Sequence, residues 1–263
     1  MQSLGLALRK RGDQGEPLPS PFDSFRSVRI SFKRSQMTVI AAAPGGGKTA
    51  LTIWMILRML YDDEVGVPTL YMCADTDMLT VATTALAGIM EIPMDEAEKL
   101  IGQEDPEAMS LLEEFSSHIW FCFQRGPNLE DIGLELEAFA MVHGEYPHLV
   151  IIDTLRSIAE PGEDIHRYAK IMPALAEMAG HIQAHVLALH HVTGKYTNGN
   201  IPIPRDGVEY KLDKEAANVL TLYRPDPEFL AVRVVKNRSG PFMSDGTYGV
   251  DLPWDPSRGW FGD

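Results

Sequence analysis

The stretch VIAAAPGGGKTALTIWMI, residues 39–56, constrains this chain more than any other. An apolar run, a glycine-rich turn and a helix-compatible segment follow one another in the order that binds phosphate. Without Cβ atoms at Gly45, Gly46 and Gly47, backbone N–H groups approach phosphate oxygens, and the helix opening at Lys48 adds its dipole. In that order Lys48 reaches the β- and γ-phosphates and the Thr49 hydroxyl ligates Mg²⁺; Pro44 and Ala50 complete the loop expected around the nucleotide. The usual pattern begins with a glycine, and Ala42 stands in that place.

The 263 residues suffice for one α/β domain with a real core and leave no room for a second full domain. No apolar run reaches the roughly 18–20 residues that span a bilayer. The opening MQSLGLALRKRGDQGEP has its charges after a short apolar piece, the reverse of a secretory signal. The expectation is a cytoplasmic protein with no membrane partner. Cys73 and Cys122 lie in apolar, strand-like runs and read as buried thiols, and no metal-ligand spacing is present.

The formal charge of −14 is unevenly placed. Residues 61–165 hold 23 Asp and Glu against 3 Lys and Arg; residues 1–35 hold 7 basic against 3 acidic, and residues 166–263 hold 11 of each. An acidic exterior with a few basic loops permits nucleic-acid binding without indicating it, and a solvated acidic surface fits equally well.

Residues 1–21, with Pro17, Pro19 and Pro21, read as an N-terminal arm or linker, and residues 22–263 as the domain. The helix after the phosphate loop breaks near residues 62–66. TLYMCAD is a buried strand, helical spacing covers residues 82–90, 94–101 and 107–116, and HIWFCF is a strand. Asn128 caps a helix that stops at Gly144. LVIID is a central parallel strand ending on Asp153, a helix over residues 166–180 follows, and HVLALHH is another buried strand. The span from 192 to 212, rich in glycine and proline, is long enough to be functional or disordered. NVLTLYR, FLAVRVVKNR and YGVDL read as strands forming an antiparallel edge.

Ligands of an open parallel sheet gather at the carboxyl ends of its strands, which places the phosphate loop, Asp75 and Asp153 together. Asp153 can hold the Mg²⁺ shell with Thr49, and Asp75 can orient or deprotonate the attacking water. Asp77 is a rival for that task, since Asp75 could instead cap the following turn.

In their order, VIAAAPGGGKTALT, LYMCADTDM, HLVIIDTLRSI, HVLALHH, LDKEAANVLTLYR and VVKNRSGP resemble the DnaB-like hexameric helicases, whose motor is a RecA-like P-loop NTPase domain. The resemblance covers residues 22–250 or so, and IIDTLRSI with LHH is also similar to the small RepA-type plasmid helicases. It implies an α/β fold with a mainly parallel sheet flanked by helices, ATP and Mg²⁺ as ligands, and Asp75 where the family has a catalytic glutamate. It places His191, beside His190, where relatives carry a glutamine that senses the γ-phosphate. Lys236 and Arg238 match residues that reach the ATP of a neighbouring subunit. The loop after His191 matches a DNA-contacting loop, making Lys195, Arg205, Lys211 and Lys214 candidates for phosphate contact, although Asp206, Glu209 and Asp213 leave it nearly neutral.

The resemblance implies an ATP-hydrolysing, hexameric homo-oligomer that translocates on single-stranded DNA in replication, with a primase or loader as a further partner. The arm, with Arg9, Lys10 and Arg11, is expected either to pack on the adjacent subunit or to be disordered. Two other readings stay open: a RecA- or RadA-like recombination ATPase, and an ATP-gated binding module that barely hydrolyses because aspartate is one methylene shorter than glutamate.

Overall fold

The computed structural model describes residues 8–61, 66–212 and 214–263. Residues 1–7 of the arm, the helix break at 62–65, Asp213 and the Lys211 side chain lie outside the described residues.

Alternation along the buried strands decides the layering. In β1 (Met37–Ala42), Val39 and Ala41 face one side of the sheet and Ile40 and Ala42 the other, and every residue is buried. A strand so apolar on both faces requires helices on both. On one face lie α1 (Asp23–Ser27), α2 (Lys48–Tyr61), α3 (Met78–Met90) and α5 (Pro106–Ser116), with Phe25, Leu51, Trp54, Val81 and Phe115 in the shared core. The other face is covered by α6 (Leu129–His143) and α7 (Asp164–His181), through Ile132, Leu136, Phe139, Ile171 and Leu175. α4 (Met94–Gly102) packs with α3 and α5 in a small satellite cluster.

The remaining strands are β2 (Thr69–Cys73), β3 (Ile119–Cys122), β4 (Leu149–Asp153), β5 (His185–His191), β6 (Asn218–Asp226), β7 (Phe229–Asn237), β8 (Gly249–Asp255) and β9 (Trp260–Phe261). They form one sheet in the order β3-β2-β4-β5-β1-β6-β7-β8-β9. Pairing is parallel from β3 through β6 and antiparallel from β6 to β9, as the pattern of buried runs predicts.

Several boundaries differ from the sequence reading for local reasons. α3 begins at Met78 rather than near residue 82, because the Asp77 side chain accepts from the Thr80 N–H and caps it. α4 starts at Met94, as expected, with Asp95 and Glu96 in its first turn. α7 runs from Asp164 to His181 and retains Pro173 within it. The Asn128 capping box and the left-handed Gly144 stop stand where expected. Residues 13–21 run along the domain rather than away from it: Leu18 is buried and donates its N–H to Phe32 O at 2.8 Å, and Arg34 donates to Glu16 O at 2.8 Å. No helix among the described residues is long and apolar enough to cross a membrane.

Candidate nucleotide site

β1 delivers the phosphate loop to the carboxyl edge of the sheet, between the ends of β5 and β6. Gly45 and Gly47 take φ of +68° and +82°, a left-handed backbone that glycine adopts without Cβ strain. Ala42 is the last extended residue of β1, so a side chain is tolerated there, and a Cβ on Gly46 would come within 3.1 Å of its methyl. Lys48 is 7% exposed, and its Nζ donates to Ala43 O at 3.1 Å and Ala42 O at 3.3 Å. Burial lowers its pKa to about 8, against the raising influence of Asp153 and Asp75.

β2 and β4 pair with Cys73 opposite Asp153, which brings Asp75 beside the β4 end. Thr49 Oγ1 donates to Asp153 Oδ2 at 2.8 Å and Tyr71 OH donates to the same oxygen at 3.1 Å. Burial raises the Asp153 pKa, while Thr49, Tyr71 and Lys48 oppose the rise. A hydroxyl and a carboxylate in contact are the hard oxygen donors that Mg²⁺ takes when nucleotide phosphates and waters supply its other ligands. No cluster of three or more His, Cys, Asp or Glu side chains suited to a metal exists among the described residues.

The carboxylates at 75 and 77 separate by geometry. Asp75 accepts from Thr154 Oγ1 at 2.9 Å and from Ser157 Oγ at 2.5 Å, whereas Asp77 is turned to its own helix as the cap of α3. The peptide bond between Asp153 and Thr154 is cis. At the end of β5, His191 pairs with Ala42 of β1 and is half-buried; burial first, then Lys48 and Arg156, lower its pKa. His190 is fully buried, its pKa pushed down to about 3 mainly by burial, and its Nε2 lies 3.9 Å from Glu209 Oε2. Both imidazoles are neutral at pH 7.

The span after His191 is tied down rather than structureless. Thr193 donates to Gly207 O at 3.1 Å, Arg224 N–H to Gly199 O at 2.7 Å and Thr221 Oγ1 to Ile203 O at 2.8 Å, with Ile203 fully buried. Lys195 and Arg205 line one groove together with Asp206 and Asp245, and Lys195 lies 5.2 Å from the Tyr196 ring centroid. Lys214 is exposed and does not line that groove.

Lys236 and Arg238 are not brought to this site. β7 runs back antiparallel to β6, and Lys236 pairs with Val219, itself beside Val39 of β1. Four residues of strand and two strand spacings put Lys236 roughly 16 Å from Ala43, at the opposite edge of the sheet.

Two further residues at the phosphate loop escaped the sequence reading. Trp254 of β8 packs where a Cβ on Gly47 would meet its ring at 3.1 Å, and the Arg224 guanidinium lies 4.5 Å from the centroid of that indole. Register held the clue for Arg224, because Leu222 pairs with Ala42 and the LYR motif therefore ends at the edge where phosphate binds.

A mainly parallel sheet with a glycine-rich phosphate loop and strand-end carboxylates defines a RecA-like P-loop nucleotide-binding domain. The model of the DnaB-like helicase C terminal domain matches residues 17–249, and the chain belongs to that family. The Gene 65 protein of Mycobacterium phage L5 is 29% identical over 241 residues, covering 88% of this chain and 87% of that protein. Its counterpart in Mycobacterium phage D29 is 28% identical over 212 residues, covering 78% and 89%. Among solved structures, an ATPase domain superposes with a TM-score of 0.77 at 18% identity, covering 97% of this chain and 94% of that one. A DnaB-like replicative helicase, described with its interactions with primase, gives 0.77 at 20% identity, covering 100% and 67%.

Proposed function

We propose that this DnaB-like helicase is an ATP-hydrolysing motor, assembled as a hexameric ring of identical chains, that translocates on single-stranded DNA during phage replication. The observation that carries the reading is the separation of Lys236 and Arg238 from the chain's own phosphate loop. Cations that cannot reach their own nucleotide can serve the one held by the next copy, which ties hydrolysis to subunit arrangement.

With ATP bound, Lys48 leaves the carbonyls of Ala42 and Ala43 for the β- and γ-phosphates. Thr49 and Asp153 would hold Mg²⁺, which would supply neutralisation of charge on the phosphoryl oxygens. Asp75, fixed by Thr154 and Ser157, orients the attacking water and accepts its proton; neutral His191 contacts the γ-phosphate; Arg238 and Lys236 enter from the neighbour. Arg224, stacked on the buried Trp254, offers the outer face of its guanidinium to the base beside the loop. Lys195 and Arg205, with Lys211 and Lys214, meet DNA phosphates, and a primase or loader is a further partner.

An ATP-gated module with weak hydrolysis is favoured by one observation: both Asp75 oxygens are already engaged by hydroxyls. The decisive experiment is ATP hydrolysis with and without single-stranded DNA, for the native chain, Lys48→Ala and Arg238→Ala, alongside the particle mass with ATP. Stimulation by DNA that both substitutions abolish, in a hexamer-sized particle, supports the motor. A monomer whose hydrolysis ignores DNA and survives Arg238→Ala refutes it. Strand exchange without unwinding would identify a recombination ATPase.

A further inference from the structure

The edge that carries Lys236 and Arg238 holds another cation in an unusual setting. Arg29 follows α1 in the left-handed region, with φ of +56°, where glycine is the residue without Cβ strain. The strand that leads to Arg238 holds it there. Asn237 Nδ2 donates to Arg29 O at 2.9 Å, and Asn237 Oδ1 accepts from the Ser239 N–H at 3.0 Å. Gly240 completes the fit: a Cβ at that position would lie 3.1 Å from Arg29 Cβ, so the close approach depends on its absence. Asn237 thus couples the turn at 29 to the strand end on both sides of Arg238.

The electrostatic setting is as specific as the backbone. Arg29 is exposed and has no ion pair among the described residues, unlike Arg26, which Asp23 holds at 2.8 Å. Arg26, Arg29, Lys33 and Ser239 line one open groove whose walls include no carboxylate, on a chain with 37 acidic and 23 basic residues. The helix cap, in which Arg29 N–H donates to Arg26 O at 3.1 Å and Ile30 N–H to Phe25 O at 2.9 Å, and the buried Asn237 together fix this turn next to the strand end that carries Arg238, with the Arg29 side chain exposed. An exposed guanidinium whose turn is fixed on two sides, in a groove without a carboxylate, is placed to meet an anion from outside the chain.

We infer that Arg29 is a third cation that this chain supplies in trans, acting with Lys236 and Arg238 on the nucleotide held by a second copy. Its planar fork suits phosphoryl oxygens. This rests on the shared-site reading proposed above and extends it to a residue outside the KNR motif.

The test uses this chain in full, ATP hydrolysis on an oligothymidine strand, and mixtures of two impaired variants. Arg29→Gly removes the guanidinium and relieves the backbone, so its melting temperature holds or rises while turnover falls by about tenfold to a hundredfold. Arg29→Lys recovers part of the loss. Mixing Arg29→Gly with Lys48→Ala restores hydrolysis, because junctions form in which an intact loop meets an intact basic edge. Arg238→Ala mixed with Lys48→Ala serves as the reference. The inference is overturned if Arg29→Gly turns over like the native chain, or if its mixture stays inactive while the Arg238→Ala mixture recovers. Failure of both mixtures overturns the shared site itself.

Discussion

Replacing Asp75 by asparagine separates a catalytic carboxylate from a structural one. In the native chain its two oxygens accept from Thr154 and Ser157. Asparagine keeps one acceptor oxygen, and its NH₂ can donate to the second hydroxyl, which then accepts through its own lone pairs. Both contacts survive in neutral form, so the melting temperature falls by only ~2–4 °C. What disappears is the capacity to take a proton from water. A positioned general base contributes ~10²–10⁴ in rate, or about 2.7–5.5 kcal/mol of barrier. Single-turnover hydrolysis at saturating ATP, with affinity followed by a fluorescent nucleotide, should show that loss in rate with binding little changed. Asp77→Ala should do the reverse, lowering the melting temperature by uncapping α3 while turnover holds. An Asp75→Asn chain that hydrolyses ATP as fast as the native one would sink the assignment. Asp75→Glu then tests reach: an increase in rate shows that the native carboxylate falls short of the water.

Arg238→Ala should cut DNA-stimulated turnover by ~10³ or more with nucleotide affinity little affected, measured by steady-state hydrolysis beside equilibrium binding. Lys48 gives a pH dependence with a definite sign. Its pKa of about 8 in the free site rises when phosphates arrive, so binding takes up a proton as pH climbs past 8, and affinity weakens by up to roughly tenfold per pH unit until the pKa of the bound state is reached. Calorimetry in buffers of different ionisation enthalpy counts that proton, and a flat profile from pH 8 to 10 would contradict it. Tyr71→Phe removes the buried donor to Asp153 and should destabilise by about 1 kcal/mol, seen as a shift of a few degrees in thermal melting.

The elements legible in the sequence were those set by neighbours in the chain. The phosphate loop needs only a strand, glycines at left-handed positions and a helix start, all within residues 39–56. Asn128 and Gly144 mark their helix by local capping, and the apolar run before Asp153 announces a strand buried on both faces. What depended on distant contacts stayed hidden. Trp254 and Arg224 meet only because β6 and β8 flank β7, and Arg29 meets Asn237 across 208 positions of chain. Even the partition between Asp75 and Asp77 waited on Thr154 and Ser157, which the turn after β4 brings back to the end of β2. The two-residue strand β9 is too short to leave a period.

On the shared-site reading proposed above, the reversal between β6 and β7 gives each chain two unlike ends, a loop that receives and an edge that gives. A row of such chains wastes one loop and one edge at its extremities; a closed circle wastes neither. Dilution with chains lacking both Lys48 and Arg238 then follows the arithmetic of junctions rather than of molecules. Each defective chain spoils the two contacts it enters, and the surviving activity declines as the square of the native fraction.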